Sequence, residues 1–379
     1  MTETAGMAQG SGQTDIVRDK RGGVRGGLRG SRLGLFLPFI LLAVVAVLWT
    51  AGWFYLRDRA GREIDAWLAR EAAAGRTWTC ADRSITGYPF RLELRCASVA
   101  LTRADGSFTL GPFTALVQVY QPRHALFEAA GPFRTQQGDL TGEANWTSLR
   151  GSFHGAADGF VRASLAVDAP RVNVSGPALD RPVEVTGEHL ELHARPTPGR
   201  FDADGAVDAS LRFTKARSAQ ADALIGNADP ADIALDATLT KAVVLRTGTL
   251  ARELEIWREA EGRLELAGLA INKGDRRLQA KGTLGLDEGH RIAGQLDLRA
   301  AGLEALVGSL VGQRYGADRG ALVGALVGGL LGSVRTPGTE GAPAGGEAPL
   351  KPLPPLRLGD GRIMLGPFTI PNVRLDPLY

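Results

Sequence analysis

Few residues in this chain combine side-chain type and spacing in a way that could do chemistry. His189, Glu191 and His193 alternate with Leu190 and Leu192, so a strand would carry the three polar groups on one face and the leucines on the other. Imidazole, carboxylate and imidazole at that spacing suit a divalent metal, and equally suit a solvated strand face. His124, His154 and His290 have no companions close in sequence. Cys80 and Cys96 are the two cysteines. Leu92, Leu94 and Cys96 share one strand parity, and Trp78 shares parity with Cys80, so both thiols can enter one apolar layer from two strands. An even count outside the cytoplasm favours one disulfide, worth roughly 3 kcal/mol on closing the loop. Two buried free thiols are the alternative, while two ligands alone do not make a structural zinc site. No Gly-x-Ser-x-Gly, P-loop or His-Glu-x-x-His pattern occurs. No catalytic, cofactor-binding or metal residue is therefore assigned, no cofactor is expected, and the expected role is non-enzymatic.

These residues must be held by something, and the first element is a membrane segment. Leu33–Leu56 is apolar without interruption by Asp, Glu, Lys or Arg. Roughly 24 residues at ~1.5 Å each span about 36 Å, enough to cross a bilayer core of ~30 Å. Arg18, Lys20, Arg21, Arg25, Arg29 and Arg32 precede it against Asp19 alone, whereas the basic residues just after it are matched by Asp58, Glu63, Asp65 and Glu71. The positive-inside rule then puts residues 1–32 in the cytoplasm as a disordered basic arm, with the bulk of the chain periplasmic. Trp49, Trp53 and Tyr55 mark the far interface. The run is longer than a signal-peptide core and ends in bulky rings, so an uncleaved anchor is expected over 33–56. Ala60, Ile64, Trp67 and Leu68 then fall on one helical face, giving a helical stalk over 57–75 that stops near Gly75.

Beyond the stalk the period changes to two. Arg91–Cys96, Ser98–Arg103, Ser107–Leu110, Thr114–Tyr120, Leu140–Trp146, Phe160–Val167, Arg171–Ser175, His189–Ala194 and Val207–Thr214 read as short strands separated by Gly, Pro, Asp and Asn. Ala219–Ile225 reads as a short helix or a loop, Val243–Thr247 as a strand, and Arg252–Trp257 as a strand or a helical turn. Gly262–Leu286 is the most regular stretch, with a hairpin turn at Asn272–Asp275. Without helices of crossover length between strands, the fold class is mainly β. An elongated antiparallel sheet, either a sandwich or an open groove, is expected over 76–335. Hydrophobic content of 44% and charged content of 22% fit a packed domain, and fifty glycines with twenty prolines fit many turns. The net charge of +3 resides mainly in the arm, so the outer part has no basic surface for nucleic acid.

Near the C-terminus, Leu303, Leu306, Val307, Leu310 and Val311 form an apolar stripe, and Leu322, Val323, Leu326, Val327, Leu330 and Leu331 another. Glycines recur every fourth residue from Gly308 to Gly332. A Gly-rich amphipathic helical pair is expected over 302–334, packed on a sheet face, lying on a membrane surface or forming a second span. Residues 336–355 read as a flexible Pro/Gly linker, and 356–379 as strands returning to the β domain. Gly-Pro-Phe recurs at Gly111, Gly131 and Gly366, read as a turn followed by a core aromatic.

Several of these residues together resemble a known family. The stalk Asp65-Ala66-Trp67-Leu68, the Trp78 and Cys80 pair, Gly87-Tyr88-Pro89-Phe90-Arg91, Cys96 and Asp360-Gly361-Arg362 are similar to an uncharacterised bacterial membrane family, domain of unknown function 2125. That resemblance implies no activity. More loosely, Gly262–Leu310 resembles the C-terminal region of AsmA-like envelope proteins, which implies an inner-membrane anchor and a part in envelope assembly or lipid traffic. The expected function is an envelope-biogenesis or lipid-handling factor with phospholipid or lipopolysaccharide as ligand. A structural adaptor that docks other envelope proteins is the alternative.

Overall fold

The computed structural model describes residues 32–156, 159–177, 179, 181–245, 249–302 and 349–379. The arm at 1–31, the Gly-rich helical pair at 303–334 and the linker at 336–348 lie outside the described residues. Helix α1 runs Arg32–Ala73, with Pro38 inside it. It contains one segment long and apolar enough to cross a membrane. A boundary between two compact units falls within it, between Ala51 and Gly52.

The second unit is built on strands in chain order: β1 (Thr77–Ala81), β2 (Ser84–Thr86), β3 (Arg91–Cys96), β4 (Ser98–Arg103), β5 (Gly106–Leu110), β6 (Phe113–Gln118), β7 (Gln121–Ala129), β8 (Phe133–Gln137), β9 (Leu140–Asn145), β10 (Ser148–Ala156), β11 (Gly159–Asp168), β12 (Arg171–Ser175), β13 (Val183–Thr186) and β14 (His189–Pro196). There follow α2 (Phe201–Asp204), β15 (Val207–Ala216), α3 (Ala219–Ile225), β16 (Ala231–Leu239), α4 (Leu250–Glu259), β17 (Leu264–Lys273), β18 (Arg276–Leu286) and β19 (Ile292–Ala301). The C-terminal strands are β20 (Lys351–Pro352), β21 (Leu356–Gly359), β22 (Arg362–Leu365) and β23 (Phe368–Arg374).

These strands form two antiparallel sheets. The smaller has seven strands in the order β1-β4-β5-β8-β9-β12-β13, and the larger has sixteen, running from β2 and β3 through β6, β7, β10, β11 and β14 to β23. From β3 to β14 the chain therefore alternates, one pair of strands in one sheet and the next pair in the other. Each change of sheet uses a very short link: Ala97, Gly111-Pro112, Ala130-Gly131-Pro132, Trp146-Thr147, Ala169-Pro170 or Gly187-Glu188. The links pair with each other. Gly111 N–H donates to Pro132 O at 3.1 Å, Ala130 N–H to Pro112 O at 2.8 Å, Ala169 N–H to Glu188 O at 2.8 Å and Gly187 N–H to Pro170 O at 3.0 Å. The backbone ladder thus continues around the bend. A side chain would not fit at Gly111, where a Cβ would lie 2.7 Å from the carbonyl oxygens of Ala130 and Gly131.

The disulfide joins Cys80 of the smaller sheet to Cys96 of the larger, with Cα atoms 5.2 Å apart. It staples the two sheets where they begin. The stalk half of α1 covers that end: Gly61 approaches Ile85, the rings of Trp67 and Trp78 lie 5.5 Å apart, and Arg83 pairs with Asp65 at 2.6 Å. Between β16 and β17, α4 is seated by Trp257, whose indole donates to Thr240 O at 2.8 Å. The C-terminal residue is tied to the same helix. Tyr379 donates to Glu255 at 2.6 Å, its ring stacks on His290, and Arg258 pairs with Glu255 at 2.6 Å. Arg258 and then Tyr379 hold the Glu255 carboxyl down at about 2, and burial raises Tyr379 to about 12.

Several expectations are corrected. Of the strand expected over Val243–Thr247, Val243 and Val244 lie instead in a 3-10 turn, Ala242–Val244, entered through Lys241 at φ 55°, and residues 246 and 247 lie outside the described residues. Arg252–Trp257 lies wholly within α4, whose Thr249 side chain accepts from Arg252 N–H as an N-cap. The expected linker ends too late, because Lys351 and Pro352 already pair with β19. Leu356–Leu365 is not one strand but the β21–β22 hairpin, turning at Asp360-Gly361, both at positive φ. β7 and β8 are additional strands: the polar starts Gln121-Pro122-Arg123 and the polar run Arg134–Gln137 mask their period. Ala219–Ile225 is a helix.

The staple generates a first prediction. A Cys80→Ser, Cys96→Ser double variant loses about 3 kcal/mol of unfolding free energy in urea, because the cross-link spans a sequence separation of 16. Unchanged stability would mean that the seam holds the sheets together without the staple.

Candidate functional site

Because strand register is fixed, the faces of both sheets can be read row by row. In the larger sheet Cys96, Phe113, Ala129, Leu149, Val167, Leu190, Phe213, Ile233, Ile271, Leu278 and Ala300 stand directly opposite one another from strand to strand. The next row on that face is Leu94, Ala115, Phe127, Gly151, Leu165, Leu192, Leu211, Leu235, Leu269, Ala280 and Leu298. Every member of both rows is apolar. The smaller sheet presents Cys80, Val99, Leu110, Phe133, Ala144, Val172 and Val185 as one row. The Cys80–Cys96 bond shows that these apolar faces are the ones turned toward each other.

Such a cleft would ordinarily be filled. A well-packed core buries its large side chains completely. Among the described residues no large side chain is fully buried, and the buried apolar residues include many alanines: Ala129, Ala206, Ala216, Ala231, Ala237, Ala280, Ala300 and Ala301. The one compact cluster is Ala237, Leu266 and Ala280, with Leu235, Leu264, Leu269, Leu296 and Leu298 partly exposed around it. The leucines, valines and phenylalanines of the facing rows mostly remain part-exposed. The facing apolar rows of the two antiparallel sheets, joined along the seam, frame an apolar layer. Small residues make room for large neighbours within it: a Cβ at Gly151 would fall inside the ring of Phe127, and one at Gly187 inside that of Phe213.

The outer faces are polar. One hollow of about 650 Å³ on the smaller sheet is lined by Ser107, Arg134, Gln136, Thr141, Glu143 and Asn173. Glu143 is held below the usual carboxylate range by Asn145 and then by Arg134. On the larger sheet the sequence pattern His189, Glu191, His193 is brought together with a fourth residue. His189 Nδ1 lies 2.7 Å from Asp168, His189 Nε2 lies 3.0 Å from Glu191, and His193 bonds Ser164 at 2.9 Å. The face is solvated, with these side chains a third to a half exposed. Among the described residues no group of three or more His, Cys, Asp or Glu is placed to hold a metal. His124 and His154 stack at 4.1 Å across β7 and β10, and His290 sits against Tyr379.

Reading from sequence missed the seam. Gly111-Pro112-Phe113 and Gly131-Pro132-Phe133 are not simply turns with a core aromatic. They are two of the links at which the chain changes sheets, and the two phenylalanines enter opposite walls of the groove. The signal was present in the paired Gly-Pro-Phe units, but parity within one strand does not say which sheet the next strand joins.

Residues 53–374 match the model of a family described as uncharacterised protein conserved in bacteria, domain of unknown function 2125 (DUF2125). The chain belongs to that family. No curated protein and no solved structure matches it.

The histidine network gives a pH prediction. Glu191 and then Asp168 raise His189 above its ordinary 6.5, and His189 in turn lowers both carboxyls. A raised folded-state value means the stabilisation is full below pH 6.5 and is lost as pH rises through the folded value. Proton NMR titration should place the His189 midpoint above 6.5, and Glu191→Gln should bring it back toward 6.5. A wild-type midpoint at or below 6.5 would show that the ion pairs do not form in solution.

Proposed function

We propose that this protein handles lipid in the bacterial envelope, holding acyl chains in the groove between its two sheets without catalysing a reaction. The observation that supports this is the run of facing apolar rows beside part-exposed large side chains. Exposed apolar surface on this scale is costly in water unless something covers it. Acyl chains suit the rows because they need no hydrogen-bond partners, and the backbone groups of the walls are already paired within the sheets. The proposed address is the inner membrane, single-pass through α1, with the N-terminus cytoplasmic and the bulk periplasmic. The basic arm and the apolar segment of α1 support it. The looser likeness of Gly262–Leu310 to AsmA-like proteins agrees with this reading through strand pattern alone.

Photo-crosslinking tests it. Benzoylphenylalanine is placed in the full chain at Leu192 or Leu211 in the groove, and at His193 or Ser210 on the outer face. Irradiated in a bacterial envelope, the groove positions should acquire the mass of phospholipid or lipopolysaccharide and the outer positions should not. Leu192→Asp together with Leu211→Asp should cut co-purified lipid about tenfold, because a carboxylate in an acyl-lined groove carries a large desolvation cost. Protein adducts from the groove positions would instead favour the adaptor reading. Equal labelling of both faces would remove the groove as a site.

A further inference from the structure

A cluster of exposed aromatic rings lies beside the point where α1 leaves its apolar stretch. Phe54, Tyr88, Phe90 and Tyr120 are 51%, 53%, 59% and 63% exposed, high values for large apolar rings. They come from three separate segments. Trp53 and Phe54 belong to α1, Tyr88 and Phe90 to the β2–β3 turn, and Tyr120 to the β6–β7 turn. Their positions relative to each other are fixed. Trp53, itself 5% exposed, donates its indole N–H to Arg91 O at 3.0 Å. The ring of Tyr88 lies 5.4 Å from that of Trp53 and stacks on Phe54 at 6.4 Å. Val119 N–H donates to Phe90 O at 2.9 Å, which sets Tyr120 beside the same turn.

Position in the sequence says what these rings face. Trp53 and Phe54 lie in the last turn of the apolar run Leu33–Leu56. Arg57 and Asp58 follow within one turn. Whatever packs against Trp53 and Phe54 shares their level. We propose that the Tyr88-Pro89-Phe90 turn, with Tyr120 and Phe54, is a foot that inserts into the headgroup boundary of the bilayer carrying α1. Tyr88 and Tyr120, each an apolar ring with a polar tip, favour that layer, and the exposed Phe54 and Phe90 add apolar surface beside them. The foot brings the β2–β3 end of the groove to headgroup level. It rests on the anchor reading, not on the groove having a ligand.

The test uses the full chain in nanodiscs of phosphatidylcholine and phosphatidylglycerol. Phe90→Cys, Tyr120→Cys, Val45→Cys in the apolar segment and Gln279→Cys on the outer sheet face are each labelled with an environment-sensitive fluorophore. The native cysteines are joined to each other and do not react. Lipids spin-labelled near the headgroup should quench the labels at 90 and 120 at least about threefold more than at 279, given the ~10 Å depth of an interfacial layer. Quenching at 45 with none above the 279 level at 90 and 120 overturns the foot and leaves the anchor standing. No quenching at 45 overturns both. Shielding of 90 from a soluble thiol reagent without lipid quenching assigns the patch to a protein partner and overturns the foot as well.

Discussion

The structure depends on a backbone ladder that bends. At each change of sheet between β3 and β14 the chain turns within one to three residues, and two pairs of links, at 111–112 with 130–132 and at 169–170 with 187–188, hydrogen-bond to one another. Backbone donors and acceptors must be paired whether or not a core forms behind them. The seam meets that requirement by itself, so the facing walls need not press together to satisfy the main chain. That freedom is what the proposed lipid groove requires of the main chain.

Two local devices fix helices to the sheets. At the first, the Cys80–Cys96 staple, the Trp67–Trp78 contact and the Asp65–Arg83 pair join stalk and sheets. At the other, α4 sits on Trp257, and Tyr379 bonds the Glu255 of that helix. Beyond β13 the larger sheet runs on without strands of the smaller one opposite it. The same apolar rows nevertheless continue through β19. The groove wall is thus longer than the sheet that faces it.

The histidine–carboxylate network lies on the outside. The His189, Glu191 and His193 set, joined by Asp168, occupies an outer face, and its carboxylates are occupied by the imidazole they charge. The proposed lipid-handling role and this network therefore share strands but not a surface. Leu190 and Leu192 enter the groove while the residues between them face water.

Much of this was legible in the residues themselves. The apolar run Leu33–Leu56, uninterrupted by any charged residue, specifies a helix long and apolar enough to cross a membrane. Alternation in Arg91–Cys96 and His189–Ala194 specifies strands with one apolar face, and the shared parity of Trp78 with Cys80 anticipates the disulfide. Strands with polar starts, such as β7 and β8, were hidden because a side chain near a strand end meets solvent whichever face it takes. Sheet membership was decided only in three dimensions. Period two tells which side chains share a face, but a link of two residues can either return in the same sheet or cross to another. The close approach at Gly187 to Phe213, and the bonds from Gly111 N–H to Pro132 O and from Ala130 N–H to Pro112 O, settle that choice. They are contacts between residues far apart in sequence, and local pattern does not encode them.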